Sequence, residues 1–154
     1  AKSQEWIPIR PATDRHFALG LMNVMATEKL CDYNFLKKDT NAVYLVGPDG
    51  YFVRKDGEKP YVWDPVDKVA KTYDDPTIKD FALEGQYVVE GVKVKPAFQL
   101  FLDIVLDCTP EKMEKITTVP AETSKRIARE FAKAASIGST ITIDGRELPL
   151  RPAA

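Results

Sequence analysis

Between residues 43 and 95 the chain is cut by turn pairs into short β-prone runs, and this punctuation limits its fold more than any other feature. The runs Val43–Val46, Tyr51–Arg54, Tyr61–Trp63, Gln86–Val89 and Val92–Lys95 are separated by Pro48-Asp49-Gly50, Asp56-Gly57 and Glu90-Gly91. An acidic residue followed by Gly tolerates the positive φ that tight hairpin turns require, so the spacing predicts hairpins over 43–63 and 86–95. Asp64–Phe81 is polar and holds Pro65 and Pro76, and reads as mostly loop.

On either side of this region the apolar period changes from two to about 3.6. Residues 6–12 alternate apolar residues with prolines and are expected to be extended. Thr13 or Asp14 then serves as N-cap of a helix over 14–29, whose apolar positions are Phe17, Leu21, Val24 and Met25, joined by Ala18, Met22 and Leu30. Gly20 in its interior marks a close approach to another backbone. Asp32–Lys38 forms a short helix or turn. Further helices are expected over 97–107, with Phe98, Phe101, Leu102 and Val105 on one face, over 110–117, capped by Thr109 with Pro110 first, and over 120–135. In the last of these Ile127, Ala128, Phe131 and Ala135 form the buried stripe, and Lys125, Arg126, Arg129 and Lys133 the wet face. Ser139–Ile143, Asp144-Gly145 and Glu147–Leu150 give a closing hairpin over 139–150, followed by Arg151-Pro152. The fold class is α+β with α/β character, amphipathic helices plus β-hairpins. The 154 residues suit one domain, a single segment in three stretches: an extended turn plus helix over 1–41, a hairpin-rich insert over 42–96, and a helical part with its closing hairpin over 97–154.

A formal net charge of −1 gives no overall electrostatic footprint for nucleic acid or an anionic membrane. No run of about 18 apolar residues is present, so no membrane-spanning helix is expected. The polar start, Ala1–Trp6, lacks the apolar core of a signal peptide. Cys31 and Cys108 stand far apart without a C-x-x-C pair, whereas a zinc or iron–sulfur site needs about four ligands; free thiols are the expected state. His16 is the sole histidine, so no histidine cluster or paired nucleophile and base is visible, and an independent hydrolase is disfavoured.

Three features have chemistry to weigh. The turn Arg10-Pro11-Ala12-Thr13-Asp14 leads into a helix N-terminus, whose unpaired N–H groups and partial positive charge suit a phosphate or a polar nucleotide edge. There Asp14 has the acceptors for a guanine's N1–H and exocyclic amine, and Arg10 the donors for a phosphate. The bland alternative is that Thr13 and Asp14 only cap the helix. The pair of helices over 110–117 and 120–135 looks like a helix-turn-helix with a basic second helix; packing on a core is the alternative. The acidic residues Asp64, Asp67, Asp74, Asp75 and Asp80 do not match the spacing of a calcium loop, and a solvated loop is expected.

Two stretches together carry a resemblance. Trp6-Ile7-Pro8-Ile9-Arg10-Pro11-Ala12-Thr13-Asp14, an apolar helix, Leu30-Cys31-Asp32-Tyr33-Asn34-Phe35-Leu36 and Asp39-Thr40-Asn41 resemble the large subunits of the dimethyl sulfoxide reductase family. That family's pattern reads I-R-P-G-T-D, an apolar helix, L-Y-D-x-x-F-L and an H-T-N-like turn. Thr109-Pro110-Glu111, Ile116-Thr117-Thr118-Val119-Pro120-Ala121-Glu122-Thr123 and Ile127-Ala128-Arg129-Glu130-Phe131-Ala132 resemble its T-P-E, I-T-G-V-P-A-E-T and I-A-R-E-F-A signatures, and the two stretches, in the family's order, lie far enough apart to span most of the chain. Ala12 stands where Gly is usual, Cys31 where Tyr is common and Ser124 where an apolar residue is expected; Ala12 matters if its backbone needs positive φ. The resemblance implies an internal piece of a larger α/β molybdopterin-binding fold. Molybdenum or tungsten is held there between two pterin guanine dinucleotides for oxygen-atom or hydride-equivalent transfer. It further implies that Thr13, Asp14 and Arg10 line the nucleotide end of one cofactor. The metal ligand, the iron–sulfur cysteines and the other cofactor segments lie outside this piece. The expected function is that of a cofactor-pocket segment, not catalytic alone and without cofactor or metal in isolation. Its partners would be the remainder of the large subunit together with its electron-transfer subunit, with no nucleic acid and no membrane span. Excised domain, split subunit and relic all remain open. The alternative from another class is a small helix-turn-helix-like module for DNA or a protein partner.

Overall fold

The computed structural model describes residues 5–149; Ala1–Gln4, Leu150 at the end of the expected closing hairpin, and Arg151-Pro152 lie outside the described residues. The class is α+β, with small antiparallel sheets and, in chain order, the helices α1 (Asp14–Thr27), α2 (Tyr33–Lys38), α3 (Ala97–Val105), α4 (Pro110–Thr117) and α5 (Ala121–Ala134). The chain forms two compact units, one from Asp32–Asp103 and one from the residues on either side of that stretch.

The Asp32–Asp103 unit starts with α2, capped by Asp32, whose carboxylate accepts from the Phe35 N–H at 2.9 Å. A 3-10 turn, Asn41–Val43, follows, then β1 (Leu45–Val46), β2 (Arg54–Lys55), β3 (Lys59–Asp64), β4 (Val69–Thr72), β5 (Tyr87–Val89), β6 (Val92–Pro96) and most of α3. The strands make two three-stranded antiparallel sheets, ordered β1-β6-β5 and β2-β3-β4. Asp56-Gly57 and Glu90-Gly91 turn with positive φ at both residues, as the sequence leads one to expect. β1 pairs with the distant β6, Leu45 opposite Pro96 and Val46 opposite Lys95. Leu45, Tyr61, Val89 and Val94 form the core, with Val53, Trp63, Ala70 and Tyr87 packed against it and Trp63 stacked on Tyr87 at 4.3 Å between ring centres. Burying each such aliphatic side chain contributes about 1.5–3 kcal/mol.

The expected loop over 64–81 holds for most of the stretch, but the short strand β4 lies within it, paired with β3 from Tyr61↔Thr72 to Asp64↔Val69. The acidic stretch is not simply a solvated loop. Asp64 is fully buried and accepts from Lys71 Nζ at 2.9 Å and from the N–H groups of Val66, Asp67 and Lys79 at 2.9, 3.3 and 3.0 Å. Burial alone would push its carboxyl up, but Lys71 and the three N–H groups together outweigh burial and hold it well below the usual carboxylate range. Asp67 binds Lys71 and Lys79, Asp74 binds Lys59, and Asp80 binds Lys37. The β3–β4 corner is therefore organised around a carboxylate.

The other unit contains α1, α4, α5 and the hairpin of β7 (Thr140–Ile143) with β8 (Arg146–Pro149). Helix α1 packs on α4 and α5. A Cβ at Gly20 would sit 3.2 Å from Met113 Cγ, so the close approach at this glycine is made by a side chain of α4 and not by another backbone as expected. Asn23 is buried and donates to the carbonyls of Val105 and Leu106 at 2.9 and 3.2 Å. Thr109 caps α4 by accepting from the Lys112 N–H, with Pro110 in the first turn. The α5 stripe also needs correction: its buried residues are Ala121, Ser124 and Ala128, whereas Phe131 is 48% exposed. Its angular position is right, but α1 ends at Thr27 and Glu28 just beyond pairs with Arg129, so the final turn of α5 outruns its cover. The small residues Ser124 and Ala128 permit the close packing upstream. Both cysteines are free and half-buried.

Candidate functional site

The start of α1 is held by a turn with a specific backbone requirement. The Arg10 N–H donates to the Thr117 carbonyl at 2.9 Å, tying the turn to the end of α4. Pro11 and Ala12 then reverse the chain, and Ala12 has φ +64. Its position therefore needs the left-handed conformation that a glycine adopts without strain, and alanine carries it at about 1–2 kcal/mol.

Thr13 is buried and occupies the N-cap position, but its side chain caps no helix N–H. Its hydroxyl turns back and donates to the Arg10 carbonyl at 2.6 Å, while its own carbonyl accepts from His16 and Phe17. The expected side-chain cap is thus replaced by a closed turn. Asp14, the first helical residue, is exposed, as is Arg10. Neither side chain makes a hydrogen bond or ion pair among the described residues. The structure therefore brings Arg10, Thr13 and Asp14 into one turn with two distinct duties: Thr13 closes it from inside, and Arg10 and Asp14 face solvent. A carboxylate acceptor, a guanidinium donor and first-turn N–H groups free of a side-chain cap make a set suited to a polar ligand edge. His16, one turn into α1, has a buried Nδ1 without a hydrogen-bond partner among the described residues.

A cleft of about 450 Å³ in the same unit is lined by Lys29, Leu30, Cys31, Arg129, Lys133 and Ile137, among others, and includes none of these three residues. It lies at the C-terminal ends of α1 and α5, where helix carbonyls favour cations, so its lysines complement the helix ends. Burial pushes the Cys31 thiol up, away from the reactive thiolate. Among the described residues no three His, Cys, Asp or Glu side chains gather as a metal set, and no helix is long and apolar enough to cross a membrane.

Of the four cations on the basic face of α5, all but Lys133 are committed to ion pairs. Lys125 pairs with Glu111 and Glu122, Arg126 with Glu5 and Glu130, and Arg129 with Glu28. Hydrogen bonds that it donates to Glu111 and Glu122 hold the Lys125 ammonium above the usual lysine range. Cations committed in this way release few counterions on meeting a phosphate backbone, so the helix-turn-helix alternative finds no support.

No family model matches the sequence. Among curated proteins the chain is 35% identical over 146 aligned residues to a sulfite dehydrogenase polypeptide of Allochromatium vinosum, covering 85% of this chain and 15% of that protein. It is 32% identical over 176 residues to the alpha subunit of the perchlorate reductase of Dechloromonas aromatica, covering 86% and 19%. It is 28% identical over 135 residues to the molybdopterin-containing subunit of the arsenate respiratory reductase of Chrysiogenes arsenatis, covering 88% and 12%. The chain spans less than one fifth of the length of each of these relatives. These similarities define a class first: a segment of the large subunits of oxidoreductases. Within that class the chain belongs to the dimethyl sulfoxide reductase family of molybdopterin oxidoreductases.

Proposed function

We propose that this chain forms one wall of the pocket for the guanine-nucleotide end of a molybdopterin guanine dinucleotide in a complete oxidoreductase large subunit, and that it is not catalytic alone. The observation that carries this reading is the exposed pair Arg10 and Asp14 at the start of α1, without side-chain partners among the described residues, on a turn closed by the buried Thr13. The donor set fits the group. Guanine presents N1–H and an exocyclic amine on one edge, which a carboxylate accepts as a pair, and a guanidinium matches the diphosphate. Asp14 would read the base, Arg10 would face a phosphate, and Thr13 would keep both in register.

When bound, the cofactor's molybdenum or tungsten supplies oxygen-atom or hydride-equivalent transfer; this chain's residues bind and orient its nucleotide end. The segment reads as one piece of the large subunit, with 42–96 as a hairpin-rich insert between the cofactor-side helix (1–41) and the helical part (97–154). Its partners are the rest of the large subunit together with an electron-transfer subunit, and the isolated chain holds neither cofactor nor metal.

The test uses the complete enzyme. A hydrogen bond to a charged group contributes on the order of 1.5–3 kcal/mol, so Asp14→Asn should weaken cofactor retention by about tenfold or more, read as molybdenum and released guanine nucleotide per large subunit. If Asp14→Asn and Thr13→Ala leave cofactor content unchanged and lower only the thermal midpoint, the turn is a structural device and the assignment fails.

A further inference from the structure

From the last turn of α5 onward the chain leaves its large apolar side chains half exposed. Phe131, Ile137, Ile141, Ile143 and Leu148 are each 42–49% exposed, and they are all of the large aliphatic and aromatic residues between 131 and 149. The strand register sorts those of the hairpin. Ile141 lies opposite Leu148 and Ile143 opposite Arg146, so Ile141, Ile143, Leu148 and Arg146 share one face. Thr140, Thr142 and Glu147 take the other, where the Thr140 hydroxyl donates to Glu147 Oε1 at 2.7 Å. This is the alternation of a sheet with one face meant for a core and one for water. The core-type face carries a guanidinium that no carboxylate pairs among the described residues. A lone two-stranded hairpin is marginal in water and gains stability from a further strand or a packed layer.

We propose that the Ile141–Ile143–Leu148 face of the β7–β8 hairpin is an internal docking surface for another stretch of the same large subunit. The occupant is an apolar surface with a carboxylate placed opposite Arg146. The inference rests on reading the chain as a segment of such a subunit. Relatives matched over most of this chain devote only 12–19% of their length to the match, which leaves ample chain to supply the cover. The charge on the face selects an acidic complement, because burying Arg146 unpaired would be strongly unfavourable.

The test compares two proteins carrying the same changes, Ile141→Lys with Ile143→Lys. In the 154-residue chain both positions are already wet, so the thermal midpoint should move by no more than about 2 °C. In the complete large subunit the midpoint should fall by several times that amount. Arg146→Glu should lower it there as well, and Thr142→Lys on the polar face should be silent in both. An equal fall in the two proteins would show that the face serves this chain's own core. No fall in the complete large subunit would show that it faces water. A dimer of the isolated chain that the paired lysines dissociate would show that it serves a second copy. Each of those three results overturns the proposal. Cofactor content, measured alongside, judges the nucleotide-pocket reading separately: a large subunit that lacks the cofactor yet loses stability through Ile141 and Ile143 refutes that reading and keeps this one.

Discussion

The hairpin of β5 and β6 turns through Glu90-Gly91, and that of β7 and β8 through Asp144-Gly145; φ is +51 and +81 in the first, +50 and +75 in the second. In the first hairpin Val89 and Val94 are 5% and 1% exposed, because β6 also pairs with β1 and the sheet lies on its own core. In the second, Ile141 and Ile143 are 42% and 49% exposed, and among the described residues β7 and β8 pair only with each other. Turn chemistry of two residues is enough to close a hairpin. Burial depends on a third strand drawn from elsewhere, and the two hairpins differ in whether the described residues supply it.

The largest expected effects come from attacking that third strand. Leu45→Ala in β1 should destabilise the chain by about 2–5 kcal/mol in urea denaturation, the range for emptying a closed core site. Ile141→Ala should stay within roughly 1 kcal/mol, as for a half-wet position. Comparable losses at the two sites would erase the contrast.

Asp64 sharpens it next, since the β3–β4 corner is organised by a buried carboxylate, for which the β7–β8 hairpin has no counterpart among the described residues. The folded carboxyl lies below its ordinary value of 3.8, so unfolding takes up a proton in acid. The stability it contributes is fully present above about pH 4 and is lost as pH falls toward the folded value. Asp64→Asn should lower stability at neutral pH and flatten this acid dependence, so that the variant and native curves converge in acid. Parallel curves across the acid range would contradict the role given to Asp64.

Smaller still is the backbone effect at the site. Ala12→Gly should raise stability by up to about 1 kcal/mol, the strain relieved at φ +64 less the added freedom of the unfolded chain. A loss would mean that the turn does not hold the left-handed conformation. Smallest are the surface changes on α5. Phe131→Ala should cost the isolated chain far less than Leu45→Ala, and Arg129→Ala, which breaks an exposed ion pair with Glu28, should be close to silent.

The helices over 110–117 and 120–135 were legible because Thr109, Pro110 and Pro120 punctuate them locally, and the Asp-Gly and Glu-Gly turns because their chemistry is local too. What escaped was non-local. Pairing of β1 with β6 spans most of its unit, and β4 carries Lys71, a residue untypical of a strand until its ammonium meets the buried Asp64. Asn23 falls in the buried stripe of α1 because it satisfies the carbonyls of Val105 and Leu106, a need that apolar periodicity cannot register. Phe131 has the right helical angle but is only half covered among the described residues. At the candidate site, the turn and its three residues were visible in the sequence. The inward hydroxyl of Thr13 was not, since it follows from the left-handed backbone at Ala12.

The claim that the start of α1 meets the cofactor's nucleotide end is tested most directly by hydrogen exchange on the complete large subunit, with and without bound cofactor. The account predicts that amides of residues 14–15, which no side chain caps, exchange more slowly when cofactor is present, while those of β5 and β6 exchange at the same rate in both states. Unchanged exchange at 14–15 in a protein shown to be fully loaded would contradict it.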